Sequence, residues 1–350
     1  MSYVGGVVYI KRNVMIKQFD TYSLLPHNTF GIEAKAAHFV EFASANELLG
    51  FLGAGFDGKS LVIGGGSNLL FVDDFDGTVF HSTIMDIDVV EESNTDVLLR
   101  VGSGVNWDAL VAYTVEKGWS GLENLSLIPG EVGASAVQNV GAYGVEAGDL
   151  IEKVETIRIA DATACSFTKA DCDFAYRHSI FKAVEKGRHI VTSVTYRLGK
   201  TADFKLSYGN LKDKVEEFGG ATLVNVRRAV CEIRDAKLPN PQQIGSAGSF
   251  FMNPVVPSEK AAELKSVYPA MPQYPLPCGD VKLSAGWLIE QCGWKQTPHP
   301  TVGVYKHQAL VVVNLGGATG RDVLDFASAV VASVKEKFGV CLNMEVNVIE

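Results

Sequence analysis

Leu127-Ile128-Pro129-Gly130-Glu131-Val132-Gly133-Ala134-Ser135-Ala136-Val137-Gln138-Asn139-Val140-Gly141-Ala142-Tyr143-Gly144 carries one charge and is otherwise built mostly of small or apolar residues. Such a run lets backbone amides approach a flat ring system closely and hydrogen-bond a pyrophosphate. A tightly packed corner between helices is the other reading of the same residues. Upstream, Val62-Ile63-Gly64-Gly65-Gly66-Ser67-Asn68-Leu69-Leu70 runs from a strand into three glycines, a hydroxyl and an amide, and back into a strand. Three residues without Cβ let successive N–H groups converge on an anion, or make a glycine-rich turn. A third glycine run, Gly53-Ala54-Gly55-Phe56-Asp57-Gly58, matches the dinucleotide fingerprint GxGxxG. That fingerprint must leave a strand and open a helix. Here a helical pattern precedes it and a strand follows, so a Rossmann loop is not expected.

Further along, Arg177 lies among aromatics in Phe174-Ala175-Tyr176-Arg177-His178-Ser179, where its planar fork could clamp a carboxylate. Ser249 follows Gly248 and precedes Phe250-Phe251, with no His placed as a triad partner. Near the end, Leu342, Met344, Val346 and Val348 alternate with Asn343, Glu345 and Asn347, which predicts a last strand with Glu345 off the apolar face. Taken singly, each of these has an ordinary structural reading as surface, turn or solvent-facing residue.

Composition bounds the rest. The 350 residues are 47% apolar and 20% charged, which describes a globular chain of two or three domains rather than a disordered or fibrous one. A net charge of −9 argues against holding a nucleic-acid backbone by bulk charge, so an anionic ligand needs a local basic pocket. The six cysteines lack CxxC spacing and the seven histidines lack HExxH spacing, so neither a metal site nor a disulfide framework is expected, and a reducing cytoplasm is the simplest setting. The run Gly5–Ile10 is followed rather than preceded by Lys11 and Arg12, unlike a signal peptide, and no stretch is long enough for a membrane span.

The hydrophobic pattern predicts helices over 45–52, 107–117, 134–139, 223–236, 283–291 and 320–338. It predicts strands over 60–63, 69–72, 78–81, 87–90, 97–101, 154–160, 190–198 and 309–314, with Lys237-Leu238-Pro239 closing a helix. The order suggests an α+β layering instead of regular βαβ alternation.

Taken together, six ordered stretches resemble the bacterial UDP-N-acetylenolpyruvoylglucosamine reductase family. They are Asn28-Thr29-Phe30-Gly31-Ile32, the 64–68 loop, Gly121-Leu122-Glu123-Asn124-Leu125 running into Ile128-Pro129-Gly130, the 138–144 segment, Tyr176-Arg177-His178-Ser179, and Gly248-Ser249-Phe250-Phe251. Leu206-Ser207-Tyr208-Gly209-Asn210 is similar to the form of the family with a tyrosine-bearing segment. The resemblance covers nearly the whole chain. It implies an α+β fold: a two-lobed FAD-binding domain of the vanillyl-alcohol-oxidase/p-cresol-methylhydroxylase type, then an α+β substrate-binding domain. The implied boundaries are an extension over 1–14, one lobe over 15–85 joined by the last strand 342–350, a second over 86–238, and the substrate domain over 239–341.

The resemblance further implies non-covalent FAD, NADPH as electron donor and UDP-N-acetylglucosamine enolpyruvate as substrate, with hydride passing from flavin N5 to the enolpyruvyl methylene carbon. FAD would be held by Ile63, Gly64, Gly65, Gly66, Ser67, Asn68, Pro129, Gly130, Gly133, Ala134, Asn139, Gly141, Ala142 and Tyr143. Ser249 would donate the proton, with Arg177 and Glu345 at the substrate carboxylate and the developing enolate. Tyr208, Lys237, Asn253, Lys282 and Gln308 would hold the nucleotide. A monomer in the cytoplasm, without nucleic acid, membrane or metal, is expected. Met15 is a second candidate initiator, and the chain stops at Glu350, where some relatives continue. The competing readings are a flavin oxidase or dehydrogenase of the same fold, and a sugar-nucleotide binding protein without redox activity.

Overall fold

The structure is a computed structural model describing residues 16–297 and 299–350. The 1–14 extension and the Met15 question lie outside the described residues. Two compact units divide the chain.

The first comprises the described residues up to Tyr22, Ala36–Gly65 and Asp76–Arg234. Its smaller sheet has the order Lys17–Ser23, Lys35–Phe42, Phe75–Ser82, Ser60–Ile63, the last two parallel. Helix Ala45–Gly53 starts where Ser44 accepts a bond from the Glu47 N–H, and buries Leu48 and Leu52. The helix precedes the GxGxxG run and strand Ser60–Ile63 follows it, the reverse of a Rossmann unit. Gly55 and Gly58 hold φ of 97° and 145°, and a Cβ at either would meet nothing within 4 Å, so these glycines serve a turn and no close approach.

A five-stranded antiparallel sheet follows in the order Thr163–Thr168, Ile151–Arg158, His189–Gly199, Asp96–Gly102, Ile87–Glu92. Its buried face packs Leu99, Val194 and Tyr196 against Trp107 and Leu110 of helix Trp107–Glu116 and Ala136 of helix Val132–Gln138. The Tyr196 hydroxyl is satisfied by Ser135 at 2.7 Å, which is what lets so large a polar-tipped ring be buried. Helices Leu211–Glu217 and Leu223–Lys237 close a further cluster with Tyr143 and Leu206 at its margin.

The second unit comprises Ser23–Lys35, Gly66–Phe75 and Asp235–Glu350. It holds the antiparallel sheet Gly245–Ser246, Gln308–Asn314, Val302–Tyr305 and a second of Val255–Val256, Val281–Leu283, Gln273–Pro275. Strand Leu69–Phe71 pairs in parallel with Asn347–Ile349. Helix Gly320–Phe338 opens on a Thr319/Asp322 capping box, ends at Gly339 with φ 64°, and buries Val323, Phe326, Ala327, Val330, Val334 and Phe338 along one face. Burying a Phe or Val side chain stabilises by about 1.5–3 kcal/mol, so this one face accounts for a large part of the unit's core.

Two expectations are corrected. The helix placed over 283–291 begins at Ala285, because Leu283 ends strand Val281–Leu283 and the Ser284 hydroxyl caps the helix by accepting the Trp287 N–H. The last regular strand is only Asn347–Ile349, with Met344 in an isolated bridge to Phe251. Glu345 therefore sits in an irregular segment and not in an alternating strand. Its backbone N–H is bonded to the Phe250 carbonyl at 2.8 Å.

Candidate functional site

In the first unit, strand Ser60–Ile63 ends on Gly64 and Gly65, which face the 129–134 loop. A Cβ on Gly65 would lie 3.2 Å from the Gly130 Cα, and one on Gly64 would lie 3.2 Å from a Glu131 carboxylate oxygen and 3.6 Å from the Ala134 Cβ. The Gly133 N–H donates to the Ser103 carbonyl at 2.9 Å, and a Cβ there would meet the Ser103 Cβ. The two glycine loops thus approach each other at backbone distance, which side chains would prevent. This is the cradle that a pyrophosphate and a flat ring need. The residues present fit FAD.

The 139–144 segment is held from behind. Asn139 adopts φ 44° and spends its amide inside the fold, donating to Glu146 Oε2 and the Ala175 carbonyl and accepting the Gly148 N–H. Buried Asn124 donates to the Tyr143 carbonyl at 2.9 Å and the Lys205 carbonyl at 2.7 Å. These bonds fix the backbone of Gly141, Ala142 and Tyr143, which is where the expected contacts of this segment reside. Burial raises the Tyr143 hydroxyl pKa, with Arg234 opposing and Tyr208 adding to the rise. The Tyr143 and Tyr208 rings meet edge to face at 5.7 Å.

Arg177 occupies a two-residue turn closed by the Ala175–His178 bridge, at φ 55°. Its Nη2 donates to the Gly141 carbonyl at 2.9 Å, tying the fork to the glycine segment. Nearby, Asp108 accepts both guanidinium nitrogens of Arg227 at 2.6 and 2.8 Å and the Leu127 N–H at 2.5 Å. Burial opposes the Asp108 charge, yet these bonds hold its pKa below the usual carboxylate range. Arg234, two turns beyond Arg227 on the same helix, is largely buried, and its Nε has no hydrogen-bond partner among the described residues. Burial lowers its pKa and Arg177 adds to that, while Tyr143, Cys231 and Asp108 favour the charge. Sequence reasoning missed Arg234. The seven-residue spacing from Arg227 was the available signal, since it places both on one helix face.

In the second unit, Asn28 is buried and donates to the Leu24 and Ile32 carbonyls while accepting the Ile32 N–H. The resulting turn accepts Gly66, whose φ is 63° and whose absent Cβ leaves room for the His27 carbonyl. Asn68 donates to the Glu345 carbonyl at 3.3 Å, and its own carbonyl accepts the Asn347 N–H at 3.1 Å. The Phe250 N–H donates to Leu310, and the Met252 N–H donates to Asn343. The short ladder of 250–252 on 343–345 thus sets Glu345 opposite Phe250, one residue along the chain from Ser249, and both Ser249 and Glu345 are half-buried. Gly248, at φ 68°, turns the chain just before Ser249.

Lys237 ends helix Leu223–Lys237 and is exposed. Asn253 accepts the Ala285 N–H at 3.0 Å, and Gln308 accepts the Leu310 N–H at 3.3 Å, so each of these side chains also has a structural duty. Lys282 lies in strand Val281–Leu283. Among the described residues no group of three His, Cys, Asp or Glu is placed to hold a metal ion, and no helix is long and apolar enough to cross a membrane.

Comparison with known proteins shows the family. Residues 240–349 match the family model described as "UDP-N-acetylenolpyruvoylglucosamine reductase, C-terminal domain", and residues 37–167 match an "FAD binding domain". The chain is similar to the UDP-N-acetylenolpyruvoylglucosamine reductase of Bacteroides fragilis, with 50% identity over 94% of this chain and 99% of that one. It is similar to that of Amoebophilus asiaticus, with 47% identity over 92% and 96%. The crystal structure of the reductase from Thermus caldophilus shares the fold, with a TM-score of 0.66 at 24% identity, covering 96% of this chain and 99% of that chain. The chain is therefore a flavoprotein oxidoreductase of α+β fold, and it belongs to the UDP-N-acetylenolpyruvoylglucosamine reductase family.

Proposed function

We propose that this protein reduces UDP-N-acetylglucosamine enolpyruvate to UDP-N-acetylmuramate, a step of peptidoglycan precursor synthesis, with NADPH as electron donor. The observation that supports the site reading is the 250–252 ladder on 343–345, which sets Glu345 opposite Phe250, next in the chain to Ser249, with the Glu345 carbonyl bonded by Asn68 at the end of a glycine loop. Ile63, Gly64, Gly65, Gly66, Ser67 and Asn68, with Pro129, Gly130, Gly133 and Ala134, line the FAD pyrophosphate, the small residues among them letting the backbone approach it closely. Asn139, Gly141, Ala142 and Tyr143 shape the seat of its ring. Bound FAD supplies a two-electron carrier between nicotinamide and substrate.

The chain's own residues do the rest. Arg177 grips the substrate carboxylate with a fixed fork, so positive charge already stands where negative charge grows. Arg234 adds to it: a buried guanidinium with an unpartnered Nε is costly unless an anion arrives. The Ser249 hydroxyl delivers a proton to the carbon bearing the carboxylate, and its half-exposed position lets solvent restore that proton. Glu345 stands at the end of the substrate where the enolate develops. Lys237, Asn253, Tyr208, Lys282 and Gln308 hold the nucleotide. The two lysines among them answer the need of an anionic ligand in a chain of net charge −9.

The absorbance of the flavin-loaded protein under nitrogen tests this reading directly. NADPH should bleach the flavin, and the enolpyruvyl substrate should restore its colour. Recovery with oxygen but not with the enolpyruvyl sugar would assign an oxidase of the same fold instead.

A further inference from the structure

Beneath the glycine cradle lies a charged cluster that the proposed reaction does not use. His81, at the end of strand Phe75–Ser82, is 13% exposed. Its Nε2 lies 3.0 Å from Glu131 Oε1, and its Nδ1 lies 3.4 Å from Glu41 Oε1. Glu41 is in turn paired with Lys17 at 3.4 Å, and it raises the pKa of Tyr22 after burial has done so. Phe39 closes another side, its ring centroid 6.2 Å from the imidazole. Glu131 has no such second cation among the described residues. Its other oxygen, Oε2, is the atom that a Cβ on Gly64 would meet at 3.2 Å. A carboxylate therefore stands directly against the Gly64 backbone at the edge of the two loops.

We infer that His81 is a positioning residue of the flavin site: its imidazolium holds Glu131 by one oxygen and neutralises the carboxylate that stands against Gly64, so that FAD binds more tightly when His81 is protonated. This rests on the reading that the 63–68 and 129–134 loops hold the FAD pyrophosphate. Two carboxylates around one ring favour its charged form. Burial alone would lower the His81 pKa, but the bonds and charges of Glu131 and then Glu41 outweigh it, and the pKa is raised. Bringing two negative phosphates beside the cluster raises it further. By linkage, the group whose pKa rises on binding makes binding tighter below that pKa and weaker above it.

The test is FAD affinity, read from quenching of flavin fluorescence by the full chain between about pH 5.5 and pH 8.5, inside the range where a histidine changes charge. If binding raises the His81 pKa by one unit, the wild-type Kd grows about tenfold from the acid to the alkaline end. His81→Gln should bind weakly and without a pH step. The isosteric Glu131→Gln should bind tightly and without one, and the double variant H81Q/E131Q should recover the tight, flat profile. Glu41→Gln should keep the step, since Lys17 already compensates that carboxylate. A step that survives in Glu131→Gln, or a Glu131→Gln chain no tighter than wild type at the alkaline end, overturns the inference. Gly65→Val separates this from failure of the underlying reading, because its new side chain meets the Gly130 backbone. If Gly65→Val binds FAD as wild type does, the loops do not hold the pyrophosphate.

Discussion

At the scale of single residues, Arg177 shows how chemistry and backbone are joined. A non-glycine residue at φ 55° carries a steric cost of about 1–2 kcal/mol, which the Ala175–His178 bridge and the bond from Nη2 to Gly141 hold in place. Lysine at this position keeps the charge and loses the fork. Arg177→Lys should lower kcat/KM by about 10²-fold while leaving the Kd for UDP near wild type, since only one of these readouts involves the carboxylate. A matching loss in UDP affinity, measured by calorimetry, would place Arg177 at the nucleotide instead. Ser249 makes a sharper claim. Ser249→Ala should leave bleaching by NADPH intact and slow reoxidation by the enolpyruvyl substrate by about 10²-fold or more. Stopped-flow traces in which both half-reactions slow equally would remove the proton-donor role.

At the scale of elements, helix Leu223–Lys237 is anchored by the Asp108–Arg227 pair, which also pins the Leu127 N–H at the head of the glycine segment. Both partners are largely covered, at 26% and 20% exposure. Asp108→Ala should destabilise by about 2–3 kcal/mol, because it strands a partly buried guanidinium, and chemical denaturation reads this directly. The folded-state pKa of Asp108 is depressed, so its contribution is present above the unfolded value of about 3.9 and is lost as pH falls through the folded one. Asp108→Asn should therefore flatten the acid limb of the stability curve. Lys237→Ala, at the exposed end of the same helix, should raise KM with little change in kcat, since a nucleotide grip acts equally on ground and transition states.

Much of this scaffold was legible in the sequence because local signals agreed. Helix Gly320–Phe338 has a capping box, a periodic apolar face and a terminal glycine, and was read to the residue. Strands Lys17–Ser23 and Thr163–Thr168 were not read, because each is largely exposed, lies at a sheet edge and carries polar residues where periodicity looks for apolar ones. Asn139 and Asn124 illustrate the same limit at the site. Their types suggested polar function, but only the fold shows that their amides hold backbone in place.

At the scale of the whole molecule, neither unit is continuous in sequence. The second unit takes Ser23–Lys35 and Gly66–Phe75 from the early chain and the remainder from Asp235 onward. Phe30, Ile32, Leu70 and Val72 belong to a core whose other buried residues run from Ala247 to Val346, and strand Leu69–Phe71 finds its parallel partner only at Asn347–Ile349. Synthesis at roughly 5–20 residues per second leaves those apolar residues waiting for tens of seconds, outside the ribosome, before their partners exist. The early apolar residues of the second unit therefore stay without their core partners until residues 247–349 have been made. The chain's yield in a cell should depend on the 247–349 segment that completes this core more than on any residue of the flavin loops.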